Sequence, residues 1–346
     1  MSQVHCHPRE EPIPLPALGN ELGRFFKAKE CLHPRASRTE CSKVISAHTI
    51  QRAGALAGIV DETGNCLSFY PPDVRGSAEP HKKGWHDAST FSGFCGKHDG
   101  PTFAPLETRP FVGSPEQCFL LAYRAECHEL YQKQASERAH EPLRQKLDRG
   151  MAPSDQRAVQ EMQGWVGAGV RRGLAESLRH KQLMDSESLE RRFDGYRRVF
   201  VCFEGPIVVA SAGAPTPNRS IDGDELLVLH DPKADIHRLY TGVVPRTNGG
   251  AVVLMWRVDE SAPGRFVDGL LSVERSRLPG MLAQFMFAYI GNTYFSAGWW
   301  QTLDVERRAH IRRLAQMGNP YYTRWTYEDL PMPWRITHLA REWPAG

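Results

Sequence analysis

The amino-acid sequence predicts a mixed α+β protein: an N-terminal zinc-stapled, treble-clef-like module, a long helical hairpin and a C-terminal α+β domain built on an antiparallel sheet. Three observations predict it. Cysteines and histidines gather within residues 30–105, helical periodicity runs from Ser114 to about Arg192, and the apolar period drops towards two after Asp194-Gly195. These changes divide the chain into a metal module with an extended N-terminal arm at 1–112, a hairpin at 113–194 and an α+β domain at 195–346. A chain of 346 residues suits two or three such units better than one small core.

Composition narrows the class. Hydrophobic residues at 41% and charged residues at 24% are ordinary for a globular chain. With 43 basic and 40 acidic residues the formal charge is +3, too even for net charge alone to predict nucleic-acid binding. No apolar run approaches the ~20 residues that span a bilayer. The first thirty residues hold Glu10, Glu11, Glu21 and several prolines, without an apolar signal-peptide centre. A cytoplasmic location without membrane association is the default expectation. In that compartment the eight cysteines are expected to be thiols or metal ligands, not a disulfide framework.

The elements follow in order. Residues 1–22 carry His5, Cys6, His7 and a proline-spaced run, which predicts an extended segment too loosely held to bind metal well. Cys31 and Cys41 are ten apart, with His33 beside the first. Residues 46–60 read as a helix, capped by Ser46, with Ile50, Ala53, Leu56 or Ala57, and Val60 on one face. Residues 66–70 are a strand candidate stopped by Pro71-Pro72, and residues 71–90 read as an insertion. Residues 91–94 lead as a strand into Cys95 and His98, whose spacing of three puts both on one face of a helix's first turn.

Ser114-Pro115-Glu116 is a helix start, and apolar residues at helical spacing from Phe119 continue to about Asp148. Gly150 and Pro153 break the pattern before a second helix from Ser154, making an antiparallel pair. Its basic residues, Arg144, Lys146, Arg171 and Arg179 among them, read first as a solvated helix surface. Residues 198–203, 206–211, 225–230 and 251–257 read as strands joined by short turns, hence an antiparallel sheet. Helices are expected at 278–290 and 301–315, and the aromatic tail (Tyr321, Tyr322, Trp325, Tyr327, Trp334, Trp343) is expected to pack back onto the fold.

The residues that carry chemistry are Cys31, Cys41, Cys95 and His98, three thiols and an imidazole suited to tetrahedral zinc. The wide first pair leaves His33 open as a substitute for either Cys31 or Cys41. Over residues 30–106 the arrangement resembles the zinc-stapled HNH, or ββα-metal, endonucleases. The resemblance implies structural zinc on those four ligands, His48 as general base and Asp99 as a ligand for a catalytic Mg²⁺ or Mn²⁺, with nucleic acid as substrate. Thr90 stands where the family has an asparagine, and His48 lacks the family's preceding acid and following proline. The helical reading of residues 46–60 puts His48 in a first turn, whereas the family places it at a hairpin. The rival reading, from another class, is a non-catalytic zinc-dependent recognition protein that binds a partner or nucleic acid.

Other clusters have plainer explanations. Asp222, Asp224 and Glu225 suit a tight turn, His86-Asp87, His230-Asp231 and His237 suit structural roles, and Trp299-Trp300 suits packing. Nothing in residues 195–346 names a reaction, and neither a phosphate-cradling glycine loop nor a Gly-x-Ser-x-Gly elbow occurs.

Overall fold

The computed structural model describes residues 11–70, 79–228, 231, 233–317 and 330–342. Its centre is an eight-stranded antiparallel sheet with apolar cores on both faces. Along β5 (Tyr196–Glu204), Val199, Val201 and Phe203 enter one core while Phe200 and Cys202 enter the other. Along β8 (Gly249–Arg257), Val252, Leu254 and Trp256 alternate with Ala251, Val253 and Met255 in the same way. With neither face wet, both strands read as unbroken apolar runs.

One face is covered by α5 (Ser261–Ser272), α6 (Leu278–Tyr289), α7 (Ala297–Thr302) and α8 (Val305–Met317), through Phe266, Phe285, Trp299, Trp300 and Ile311. The other is covered by α3 (Pro115–Arg144), through Phe119, Tyr123 and Tyr131, with α4 (Pro153–Glu190) lying along it. Ser114 caps α3 by accepting the Gln117 N–H at 3.2 Å, and Pro115 occupies the first turn, where its missing donor costs nothing.

A separate two-stranded sheet pairs β1 (Val44–His48) with β4 (Thr90–Cys95), and β4 runs directly into α2 (Gly96–Glu107). Between β1 and β4 the chain forms β2 (Asn65–Ser68) and β3 (His81–Gly84), which join the large sheet. With β6 (Val209–Gly213), β7 (Tyr240–Arg246), β9 (Thr293–Phe295) and β10 (Arg335–Ala340), the order across it is β10-β5-β8-β7-β6-β9-β2-β3. The N-terminal module therefore packs against the large sheet and also extends its edge. No helix among the described residues is long and apolar enough to cross a membrane.

Three expectations change. Residues 46–60 are not a helix: β1 holds His48 opposite Thr90, and the chain stays extended while Thr49 N–H donates to the Ser89 carbonyl at 2.7 Å and Ile50 N–H to its hydroxyl at 2.9 Å. Only one irregular turn follows at Arg52–Leu56, with Gly54 at non-helical angles, so strand pairing overrides a helical pattern already weakened by glycine. Residues 225–228 form a loop rather than a strand, folded onto itself by Ser220 N–H to the Asp224 carbonyl (2.8 Å) and Leu226 N–H to the Asn218 carbonyl (2.9 Å). Their place in the sheet is taken by β7, which pairs with β8 through a hairpin whose Asn248 has φ +62°. The arm is not extended throughout residues 1–22, because helix α1 (Leu15–Gly23) starts just after Pro14, with a proline in its first turn.

Of the aromatic tail, Trp334 stacks on Phe203 with ring centroids 4.3 Å apart. His5, Cys6, His7, His230, Tyr321, Tyr322, Trp325, Tyr327 and Trp343 lie outside the described residues.

Candidate metal centre

Cys95 is the last residue of β4 and precedes the first turn of α2, so His98 faces back towards it. The other two ligands come from the loop ahead of β1. That loop is tied to β4 by Glu30 N–H to the Ser92 carbonyl (3.1 Å) and Leu32 N–H to the Gly93 carbonyl (2.9 Å). At its far end, the Lys97 N–H donates to Ser42 Oγ at 3.0 Å. Lys181 of α4 donates to the Leu32 carbonyl at 2.6 Å, tying the loop to the helical pair as well.

The four ligand atoms lie within 4.8 Å of one another. The His98 Nδ1 stands 3.5 Å from Cys31 Sγ, 3.7 Å from Cys41 Sγ and 3.3 Å from Cys95 Sγ. A tetrahedral zinc with ordinary Zn–S and Zn–N bonds requires about 3.6 Å between sulfur and nitrogen. The three distances bracket that value, so the donor set and its spacing fit a structural zinc. His33 lies outside this group of four: its ring stacks on His98 with centroids 4.1 Å apart, and its Nδ1 accepts the Arg35 N–H at 3.2 Å. Burial pushes the Cys31 thiol up to about 11. Against the same cost of burial, N–H groups of Ser42 and His98 and the Ser42 hydroxyl bring Cys95 down to about 6, the direction that favours its thiolate.

His48 and Asp99 lie next to this centre in the chain, His48 at the end of β1 and Asp99 directly after His98. His48 Nε2 and Asp99 Oδ1 are buried without a hydrogen-bond partner. Burial lowers the His48 pKa, a backbone hydrogen bond with Trp85 opposes that, and Arg124 adds to it. Burial raises Asp99, with Arg124 pulling it down and Glu107 pushing it up. Arg124 is itself buried, stacked 4.0 Å over Phe103 and paired with Glu107 at 2.5 Å. His48 and Asp99 thus share one charged pair as their neighbour. A neutral imidazole with a free nitrogen and a carboxylate with a free oxygen are a base and a cation ligand in chemical terms.

The remaining sequence-flagged groups do not converge on a site. His86 Nδ1 lies 3.3 Å from Arg52, His237 accepts the Ala262 N–H at 3.4 Å, and Trp299 and Trp300 are buried among Phe69, Phe287 and Phe295. Cys66, Cys118, Cys127 and Cys202 are buried free thiols. Among the described residues no second cluster of three metal-ligating side chains occurs. The sequence reading missed the Arg124–Glu107 pair, because two polar residues on different helices, seventeen positions apart, carry no mutual pattern. It also missed Trp85, whose contribution is a backbone group. No family model, curated protein or solved structure matches the chain.

Proposed function

We propose that the chain is a divalent-metal-dependent nuclease of the zinc-stapled HNH kind, with Cys31, Cys41, Cys95 and His98 as the staple and His48 and Asp99 as the reactive groups. One observation carries the reading. On a strand–strand–helix unit, a histidine at the strand's end and a carboxylate in the helix's first turn each keep a buried, unpartnered atom beside the same Arg124–Glu107 pair.

In this reading His48 is held with one ring nitrogen towards Trp85 and Nε2 open, and takes the proton of the attacking water. Burial keeps it neutral below its ordinary pKa, the form a base requires. Asp99 offers Oδ1 as one of the few protein ligands that Mg²⁺ or Mn²⁺ needs when phosphate oxygens and water complete its shell. The cation, when bound, supplies positive charge where negative charge develops on the phosphate. Zinc fixes the start of α2, and so the position of Asp99, without joining the reaction.

The test is nicking of supercoiled DNA, and cleavage of RNA, with Mg²⁺ or Mn²⁺. His48→Ala and Asp99→Ala should each lower the rate by at least about a hundredfold, while elemental analysis still finds about one zinc per chain, as the closed Cys₃His site requires. The acid limb of the rate profile should fall below pH 6.5, because the depressed His48 stays neutral there. Wild-type rates in both variants would leave the zinc-dependent recognition protein as the better reading.

A further inference from the structure

We propose that the outer face of the N-terminal half of α4 is a dimer interface, occupied by the same face of a second copy packed antiparallel about a two-fold axis. None of its residues belongs to the site of His48 and Asp99. A surface helix ordinarily turns its apolar stripe inward and its polar side to water. Between Pro153 and Arg172, α4 does the reverse. The side towards α3 and the turn after it is polar: Gln156, Gln160 and Gln163 are buried there. The Gln160 amide donates to the Arg144 carbonyl at 2.8 Å and to Asp148 Oδ2 at 2.9 Å, and His140 Nε2 donates to the Gln163 carbonyl at 3.0 Å. The side turned away is apolar. Met162, Trp165 and Val166, at the spacing of one helical face, are 51%, 81% and 45% exposed, and the exposed Ala158 and Ala168 continue the stripe either way.

Charge and shape both favour a second copy as the occupant. Glu161 and Arg172 are eleven positions apart, three helical turns, so they lie along one line of the helix on either side of Trp165. Asp155 adds negative charge at the first end, against Arg157, and Arg171 adds positive charge at the second. Arg172 is oriented by donating to the Ala234 carbonyl at 2.9 Å, while Glu161 is exposed. A face acidic at one end and basic at the other complements itself when it meets itself antiparallel. Such pairing sets Glu161 of each copy against Arg172 of the other, as a two-fold interface requires. Two acids against three bases leave one net positive charge, too little to draw this face onto an anionic membrane or a nucleic acid. The same pairing lays each Trp165 across Gly164, Ala168 and Gly169 of the other copy. At both glycines nothing lies within 4 Å of where a Cβ would stand, so the indole has room to approach the backbone. A tryptophan buries about 150–250 Å². Two copies of the stripe together bury on the order of 1,000 Å², the low end of specific interfaces, which suits a weak, concentration-dependent dimer.

The experiment is sedimentation equilibrium of the full chain between about 1 and 300 µM, over which mass action should carry the wild type from monomer to dimer. Trp165→Asp should stay monomeric throughout. Glu161→Arg and Arg172→Glu should each self-associate at least about tenfold more weakly, because like charges then face each other across the axis. Mixed in equal amounts, these two variants should associate about as tightly as the wild type, each pair across the axis again being opposite in sign. Trp165 and Glu161 are exposed, so a loss of association there is not a loss of fold, and far-UV circular dichroism checks that all three variants are folded. His48→Ala and Asp99→Ala should dimerise as the wild type does. A chain monomeric over the whole range, a dimer untouched by Trp165→Asp, or a mixture of folded charge variants no tighter than either alone would each overturn the assignment.

Discussion

Glu126 is the residue at which burial and charge conflict most sharply. It is fully buried on α3, and its nearest cation is Arg238, at 3.7 Å. Burial raises its pKa to about 7 although Arg238 pulls the other way, and Glu260, on the other side of the same arginine, is also pushed up to about 7. A carboxyl whose folded pKa lies above its unfolded value of 4.5 favours the folded state when protonated. Its stabilisation is complete below pH 4.5 and is lost as pH rises through about 7. Glu126→Gln keeps the neutral shape at every pH. Its stability relative to wild type should therefore climb by about 1–3 kcal/mol between pH 4.5 and 8, read from urea midpoints at a series of pH values. A difference that does not change with pH would mean that the buried carboxyl does not titrate in this range.

At the scale of elements, the loop that carries Cys31 and Cys41 is held, apart from any metal, by a short set of bonds: two backbone contacts to β4, the Gly96 N–H to the Lys43 carbonyl, Lys97 to Ser42 and Glu40, and Lys181 and Tyr131 to the Leu32 and Ala28 carbonyls. Removing zinc with a chelator, or with Cys95→Ser, should raise amide exchange in residues 28–43 by at least about a hundredfold, since local opening sets that rate, while α3 and α4 keep their protection. Equal loss of protection in α3 would show that the metal holds far more than its loop. The legibility of the elements follows the range of the forces that make them. Cys95 and His98 could be read because their spacing is a property of one helical turn, α3 because its cap and apolar period are local, and the start of α4 because Pro153 marks it, although Met162, Trp165 and Val166 of α4 are exposed. β1 could not, since pairing with β4 over forty positions away, not any local preference, makes His48 part of a strand. β7 carries Gly242 and Pro245, which blur a strand pattern, and Leu226 and Leu227 are buried by a folded loop that imitates one. Only the structure leaves His33 outside the Cys₃His group, stacked on His98, because stacking beside a donor and being one of the donors look alike in sequence.

For the whole molecule, the question is whether the metal module is a separate folding unit. Its Phe94 and Phe103, both fully buried, share one core with Phe119 and Tyr123 of α3 and with Phe200, Val253 and Met255 of the large sheet. Its strands β2 and β3 extend that sheet through β9, where Leu67 faces Phe295. The tryptophans Trp256, Trp299, Trp300 and Trp334 lie in the opposite core, on the far side of the sheet. If the two cores are one cooperative unit, a cavity made in the module must be felt by those tryptophans. Phe94→Ala should cost about 3–5 kcal/mol and lower a single unfolding midpoint, the same one by far-UV circular dichroism and by tryptophan fluorescence. Two midpoints, with the fluorescence transition left where the wild type has it, would mean that the module opens alone and that the shared core is only a docking surface. A common shift would mean that the metal module and the sheet stand or fall together.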